Sequence, residues 1–409
     1  DVSNAVFAGE LALDGSLRPI RSAIITAEVA KNQKIKSVYV PAQNAKQAAL
    51  VTGIDVFPVE NLKSLFLHLK KEKIIKPIDR SSIKNVSHNH KNVPTIDDIY
   101  GQEQAKRAIQ IAVAGRHNIL LSGPPGSGKT MLAKSLKNLL PALSEDEIVE
   151  VTKLHSLGEH TIINNPIVDR PFRSPHHTAS RASIIGGGSK VQPGEISLAH
   201  RGVLFLDELL EYPRTVLESL RQPLEDHEIT VSRANGKFNF PANFLLVATM
   251  NPCPCGFLGD PEKTCICSQN QIINYQKRLS GPLLDRIDLT VSVSRVPHEK
   301  LLNNKMSTKS QQETFLSEIH KAYSIQRDRY KCSYKYNNDI SSNGVDKITS
   351  ISESAKTFLT NAARKLDLST RSYFKVIKVS RTIADLEGSA SIEVPHIAES
   401  LQYRQINIG

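Results

Sequence analysis

Residues 123–130 have the residue types and spacing of a phosphate-binding loop. The string Gly123-Pro124-Pro125-Gly126-Ser127-Gly128-Lys129-Thr130 fits the pattern G-x-x-x-x-G-K-[ST]. Glycines let backbone N–H groups close around phosphates, the lysine adds a positive charge, and the threonine hydroxyl can bind Mg²⁺. An apolar run precedes the loop and an apolar-periodic segment follows it. These flanks favour a strand–loop–helix nucleotide site over an ordinary glycine turn beside a surface lysine.

Two carboxylates follow a second apolar run. Residues 203–206 read Val-Leu-Phe-Leu, and Asp207 and Glu208 come next. Consecutive apolar residues are typical of a parallel strand buried on both faces, whereas a half-exposed strand alternates. We expect Asp207 to hold Mg²⁺ and Glu208 to orient or deprotonate an attacking water.

A third strand-like segment, residues 244–249, ends at Met250-Asn251-Pro252. Asn251 at this exit can position the water beside Glu208. An asparagine before proline is otherwise a common turn former.

Four of the five cysteines form two C-x-C pairs separated by nine residues: Cys253 with Cys255, and Cys265 with Cys267. Two such pairs can supply four thiolates to one tetrahedral ion, and a reducing compartment favours structural Zn²⁺ over disulfides. The alternative is a chance cluster of reduced thiols. Cys332 is expected to be a free thiol.

Composition narrows the class of protein. With 409 residues and 40% apolar content, the chain can form two or three packed domains. Its net charge of +11 favours polyanions such as nucleic acid as partners. Aromatic residues are only 5% and tryptophan is absent, so contact with the phosphate backbone is favoured over base stacking.

No apolar run approaches the roughly 20 residues of a membrane-spanning helix, and no charged-then-apolar leader opens the chain. We therefore predict a cytoplasmic protein without a membrane partner. Because the chain begins at Asp1, we expect that an N-terminal portion is missing.

Four segments differ in pattern along the chain. Residues 1–70 mix strand-like and helical pieces, and residues 71–94 form a basic, polar linker. Residues 95–295 alternate strands and helices, which predicts an α/β core with a parallel sheet covered on both faces. Residues 296–409 are predicted to be a helical lid, with a mobile polar loop at 331–346. His88 and His90 of the linker alternate like metal ligands, but a solvated loop is favoured.

With Lys129, Asp207 and Asn251 in this order and a helical C-terminal segment, the chain resembles an AAA+ P-loop ATPase. Longer strings closely resemble the magnesium-chelatase-like branch: RPFRSPHH (170–177), GGGS (186–189) and PGEISLAHRG (193–202). The strings NPCPCG (251–256) and LLDRID (283–288) narrow the resemblance to the YifB/ComM family.

The resemblance implies ATP and Mg²⁺ as ligands and a homo-hexameric ring with ATP between subunits. It implies that Arg286 is an arginine finger reaching a neighbour's γ-phosphate; locally, a surface ion-pair cluster with Asp285 and Asp288 is the alternative. Arg371 resembles the lid arginine called sensor 2, and Arg381 is its alternative. Related branches differ in whether this arginine serves its own subunit's nucleotide or a neighbour's, so the resemblance implies either for Arg371.

Two inserts are candidate DNA contacts. Residues 227–240 are predicted to form a hairpin with an Asn235-Gly236 turn that projects Arg233 and Lys237. The second insert, residues 184–190, has three glycines beside Lys190. In related ring helicases a hairpin at this place faces the central pore; the alternative is a solvated tip.

Strings near the N-terminus, from Phe7-Ala8-Gly9-Glu10-Leu11 onward, resemble the second half of a Lon-type protease domain. The position of the catalytic lysine in that pattern is Ile24, so a non-proteolytic module is expected and an ATP-dependent protease is a rival. Metal insertion into a porphyrin and a generic P-loop switch or kinase are further rivals. The leading prediction is an ATP-driven motor acting on single-stranded or branched DNA, of the branch-migration type, in recombination or natural transformation.

Overall fold

The N-terminal residues form a small α/β module. The computed structural model describes residues 2–79, 93–158, 165–188, 191–233, 236–296, 310–332, 335–341, 344 and 350–404. Three parallel strands, in the order β1-β4-β5, pack against helices. The elements are β1 (Ala5–Phe7), β2 (Glu10–Leu11), β3 (Leu17–Arg18), α1 (Ala23–Asn32), β4 (Ser37–Pro41), α2 (Ala45–Ala48), β5 (Asp55–Val59) and α3 (Leu62–Leu69). Ile24 is fully buried in the core of this module.

A five-stranded parallel sheet forms the centre of the protein, in the order β14-β6-β13-β10-β7. These strands are β6 (Ile119–Ser122), β7 (Phe172–Arg173), β10 (Val203–Leu206), β13 (Leu245–Met250) and β14 (Leu289–Ser292). Strand β13 lies between β6 and β10, with Met250 opposite Ser122 and Ala248 opposite Leu206. The predicted phosphate loop, the two carboxylates and Asn251 therefore leave the sheet at one edge.

Both faces of this sheet are covered, as predicted. Along β10, Val203 and Phe205 belong to one apolar cluster, and Leu204 and Leu206 belong to a second on the opposite face. Because side chains alternate between faces along a strand, burial on both sides requires an unbroken apolar run. The surrounding helices are α4 (Glu103–Gly115), α5 (Lys129–Ser135), α6 (Glu145–Gly158), α7 (Arg181–Ile185), α8 (Glu195–Leu198), α9 (Arg214–Ser219), α10 (Arg221–Asp226), α11 (Gln269–Gln276) and α12 (Gly281–Leu284).

Two antiparallel pairs extend from the core: β8 (Gly186–Gly187) with β9 (Gln192–Pro193), and β11 (Glu228–Arg233) with β12 (Gly236–Pro241). The C-terminal segment is helical, with α13 (Gln311–Tyr330), α14 (Glu353–Lys365), α15 (Thr370–Glu387) and α16 (Val394–Gln402). Within the described residues, no helix is long and apolar enough to cross a membrane.

Helix α15 attaches the C-terminal helices to the amino ends of the sheet strands. His117, just before β6, shares a 2.7 Å hydrogen bond with Thr382, and the Lys375 ammonium donates to the carbonyl of Ile287, just before β14. Burial lowers the pKa of His117 to about 3, so this contact uses a neutral ring. The C-terminal helices thus dock at the edge of the sheet opposite the phosphate loop.

Part of the segment predicted as a mobile polar loop is packed instead. Asn337 is fully buried and donates to Asp385 of α15 at 2.8 Å. The carboxylate of Asp385 accepts from the Asn337 amide and so compensates the cost of burying it. Most of the predicted linker, residues 80–92 with His88 and His90, lies outside the described residues.

Candidate functional site

The phosphate loop joins β6 to α5, as predicted. Gly126 and Gly128 have φ values of 78° and 88°, in the left-handed region that favours glycine. The Lys129 ammonium lies within the loop and donates to the carbonyls of Gly123 (2.6 Å) and Pro124 (2.8 Å). The buried Ser127 hydroxyl has no hydrogen-bond partner among the described residues. A lysine and unused donors inside a glycine-rich loop fit an anionic ligand.

Lys129 also contacts Asn251, which follows the neighbouring strand β13. Its ammonium donates to the Asn251 amide oxygen at 3.3 Å. Burial lowers the pKa of Lys129, while Asp207 and Glu208 oppose that shift. The structure thus brings together the lysine, both acids and the asparagine that the sequence singled out.

Asp207 and Thr130 face each other across the loop. The Thr130 hydroxyl donates to Asp207 at 3.1 Å. A hydroxyl and a carboxylate oxygen at this distance are the hard ligands that Mg²⁺ prefers. The donor set therefore fits a magnesium ion shared with a bound nucleotide.

Thr249 is a site residue that the sequence reasoning missed. Its hydroxyl donates to Asp207 and accepts from the backbone N–H of Glu208 at 3.0 Å. Thr249 is buried in an apolar strand, two residues before Asn251 and hence on the same face. A lone hydroxyl in a buried strand, in phase with Asn251, was the signal that could have revealed it.

Glu208 adopts a left-handed backbone conformation, with φ of 53°. This conformation is uncommon outside glycine and often marks functional sites. A second residue missed by the sequence reasoning, His177, approaches Glu208, with 3.8 Å between Nδ1 and Oε2. Tyr212 lies nearby, and burial together with Asp207 and Glu208 raises the pKa of its hydroxyl.

The four paired cysteines converge on one point. Their ligand atoms all lie within 4.8 Å of one another, with Cys253 Sγ at 3.4 Å from that of Cys255 and 3.6 Å from that of Cys265. Zn–S bonds of about 2.3 Å in a tetrahedron require sulfur atoms roughly 3.8 Å apart. Backbone N–H groups of Phe257 and Ile266 lower the pKa of Cys255 to about 6, whereas burial raises the pKa of Cys253, so the fit to a metal rests on the distances. The set fits one zinc ion.

The segment between the cysteine pairs packs directly on the phosphate loop. A Cβ at Gly256 would lie 2.6 Å from Cδ of Pro125, so glycine allows close approach there. Arg295 donates to the Pro125 carbonyl at 3.3 Å and pairs with Asp260 and Glu262 of the cysteine segment. The cysteine segment therefore supports the loop itself, a contact that the sequence did not indicate.

Arg286 and Arg371 lie together, away from the phosphate loop of their own chain. The Asn118 side chain, just before β6, donates to the Arg286 carbonyl, whereas the loop follows the other end of β6. A four-residue strand spans roughly 13 Å. Both guanidinium groups bind Glu225, with Arg371 Nη2 at 3.2 Å from its Oε1.

The structure matches neither alternative considered for these roles, the local ion-pair cluster at Arg286 or Arg381 in place of Arg371. Within the described residues, Arg286 forms an ion pair with neither Asp285 nor Asp288, and pairs with Glu225 instead. Arg381 is buried, pairs with Asp385, and donates to the carbonyl of Ala390 at 3.0 Å. Arg381 therefore fixes the chain that follows α15 and is unavailable to a nucleotide.

The predicted hairpin forms as the antiparallel pair β11–β12. Arg233 pairs with Gly236, so Gly236 belongs to β12. Asn235 of the predicted turn lies outside the described residues. Lys237 and Phe238 are exposed on β12. The second insert contacts β11 through β8, but Lys190 itself is outside the described residues.

Two family profiles match the sequence. One, described as "Magnesium chelatase, subunit ChlI", matches residues 95–301, which hold the sheet, the loop and the cysteines. The other, "Magnesium chelatase, subunit ChlI C-terminal", matches residues 309–404, which hold the C-terminal helices.

Individual relatives extend this similarity to the whole chain. "Competence protein ComM" of Haemophilus influenzae is 42% identical over 401 residues, covering 97% of this chain and 77% of that protein. "Uncharacterized protein YifB" of Escherichia coli is 37% identical over 403 residues, covering 98% and 77%. "Magnesium-chelatase 67 kDa subunit" of Heliobacterium mobile is 27% identical over 193 residues, covering 39% of this chain and 28% of that protein. The chain belongs to the YifB/ComM family of magnesium-chelatase-like AAA+ ATPases.

Proposed function

We propose that this protein is a Mg²⁺-dependent, ring-forming ATPase that moves or remodels DNA. The observation that carries the ATPase part is the convergence of Lys129, Thr130, Asp207 and Asn251 at one edge of the sheet. Glycine-rich loop, lysine, metal-binding oxygens and a polar residue for the water are the parts that phosphoryl transfer requires.

In this mechanism the chain's own groups bind the phosphates and activate the water. Residues 123–130 hold the phosphates, and Thr130 with Asp207 would hold Mg²⁺, which neutralises charge on the transferred phosphoryl group. Glu208 accepts the proton of the attacking water, and Asn251 orients that water. Thr249 fixes both Asp207 and the Glu208 backbone, so it sets the relative position of metal ligand and base.

Arg286 and Arg371 act on the ATP of a neighbouring subunit. Their placement at the amino end of β6 argues against contact with the phosphates of their own chain. A head-to-tail arrangement repeated around a ring would present them to the next subunit's loop. We propose a homo-hexamer on the strength of the family resemblance.

The hairpin β11–β12 is proposed to contact DNA. Lys237 is exposed on β12, and the chain has a net charge of +11, which favours contact with phosphates. Arg233, the last residue of β11, and Lys190, which lies outside the described residues, are further candidates. Similarity to a protein named for competence supports a role in DNA uptake or recombination.

A junction assay tests the DNA part. With ATP, the protein should convert a synthetic three- or four-way junction into exchanged duplexes, and the Lys129→Ala variant should not.

Lys237→Ala should weaken DNA binding about threefold to tenfold and flatten its salt dependence. Lys365→Ala, which removes an exposed lysine from α14, is the matched control and should bind normally. Absence of both DNA-stimulated hydrolysis and junction conversion would favour a motor acting on a protein or metal-insertion partner.

The cysteine set is proposed to bind one structural Zn²⁺ that keeps the phosphate loop in shape. Removing the metal, by chelation or by Cys253→Ser, should unfold residues 252–270 and release the supports at Gly256 and Arg295. We expect ATP affinity to fall about tenfold. Metal content, hydrogen exchange of this segment and nucleotide binding measure the effect. Cys332→Ser is the control; purified protein without zinc, or unchanged ATP binding after zinc loss, would contradict the proposal.

A further inference from the structure

One carboxylate, that of Glu225, holds both arginines proposed to act on the neighbouring subunit. Arg286 binds one oxygen and Arg371 the other. Arg286 also donates from Nη1 to the Pro282 carbonyl at 2.6 Å, and its buried Nε has no partner among the described residues. The guanidinium is therefore oriented by its contacts but retains a spare donor. The side chains of Glu225 and Arg371 are half exposed and that of Arg286 is 13% exposed, so another molecule can reach this cluster from the side of Glu225 and Arg371.

Glu225 also lies at the base of the hairpin. It is the penultimate residue of α10, and only His227, with φ of 57°, separates that helix from β11. Gln222 of the same helix binds Thr230 of β11 twice, donating to its hydroxyl at 3.2 Å and accepting from its backbone N–H at 3.4 Å. The short connection and these hydrogen bonds hold α10 and β11 together, so a movement of α10 displaces β11.

We propose that Glu225 is a positioning residue that couples the neighbour's nucleotide to the hairpin. It holds Arg286 and Arg371 until the terminal phosphate of ATP in the adjoining subunit competes for them. Carboxylate and phosphate are both anionic acceptors suited to the guanidinium fork, and the phosphate carries more charge. When the arginines turn to the phosphate, α10 loses two charge-assisted bonds and moves with β11. Loss of the phosphate after hydrolysis returns the arginines to Glu225.

The inference rests on the proposed function, but its first test requires no DNA. Hydrogen exchange of residues 221–233 is measured in the assembled full chain with a non-hydrolysable ATP analogue and with ADP. In the wild type the exchange rates should differ at least about twofold between the two nucleotides. Glu225→Gln, which keeps the shape but removes the charge, should abolish that difference. Light scattering confirms that each variant still assembles.

Kinetics give a second readout. Without the competing carboxylate, Glu225→Gln should raise hydrolysis in the absence of DNA about threefold to tenfold, with little change in the KM for ATP. Glu225→Asp retains the charge and should restore most of the nucleotide response. Asp226→Asn removes an equal charge from the next position of α10 and should behave as the wild type, because Asp226 pairs with neither arginine within the described residues.

Two outcomes would overturn the coupling: a wild-type exchange pattern that is identical with both nucleotides, or equal effects of Glu225→Gln and Asp226→Asn. If Glu225→Gln fails to assemble, the wild-type comparison decides, because identical exchange of residues 221–233 with both nucleotides overturns the coupling. If the hairpin responds to nucleotide but DNA neither binds nor stimulates hydrolysis, the DNA function fails while the coupling through Glu225 stands.

Discussion

Mixing two inactive variants, Arg286→Ala and Lys129→Ala, should restore ATP hydrolysis. Alone, Arg286→Ala should lower the rate by about 10³ to 10⁵, because an arginine finger stabilises charge in the phosphoryl-transfer transition state. Lys129→Ala lacks the loop lysine but retains Arg286. In a mixed ring, the intact loop of one subunit meets the intact arginine of the next, and about a quarter of the sites in an equal mixture become complete. Phosphate release from the mixture and from each variant alone measures the recovery.

The mixture separates action across an interface from action within one chain. If Arg286 served its own subunit's ATP, no mixed ring would contain a complete site, and the mixture would remain as slow as its parents. Arg221→Ala is the matched control, since Arg221 lies on α10 and pairs with Glu218 rather than with Glu225. Its rate should stay within about twofold of the wild type.

Glu208→Gln should bind ATP with nearly wild-type affinity but hydrolyse it about 10² to 10⁴ times more slowly. The amide cannot accept the proton of the attacking water, and general-base catalysis contributes a factor of this size. Lys129→Ala should instead lose nucleotide binding, because the loop then lacks its positive charge. Binding of a fluorescent ATP analogue and single-turnover hydrolysis distinguish the two defects.

Glu211→Gln removes an exposed carboxylate three residues from Glu208 and serves as the control. Its binding and turnover should both match the wild type. Hydrolysis by Glu208→Gln at the wild-type rate would show that another group activates the water, and the proposed mechanism would be wrong.

The strands of the central sheet could be predicted where they carry long apolar runs. β10 and β13 are buried on both faces, and that environment admits few polar residues in the sequence. β7 has only two residues, one of them Arg173, so it has no periodic pattern from which a strand could be predicted. It is a strand because β10 supplies hydrogen-bond partners along its edge. Short edge strands are defined by their neighbours rather than by their own pattern.

The candidate site was predictable to the extent that its chemistry is local. Residues 123–130 form the phosphate loop with eight consecutive positions. The two C-x-C pairs of cysteines can likewise be recognised from their spacing in the sequence. Thr249, His177 and Gly256 were missed because each acts through a residue distant in the chain. Gly256 matters only through its contact with Pro125.

By itself, the sequence determined which side chains could take part in catalysis and ligand binding, and the family to which the chain belongs. Motifs of this kind place donors, acceptors and charges within one strand exit or loop, where local geometry suffices to predict their roles. Only the tertiary structure decided that Arg286 and Arg371, although far apart in the chain, meet at Glu225, whereas Arg381 is buried beside Asp385. The physical reason is that an arginine's role depends on the carboxylate it reaches, and packing between distant elements sets that choice.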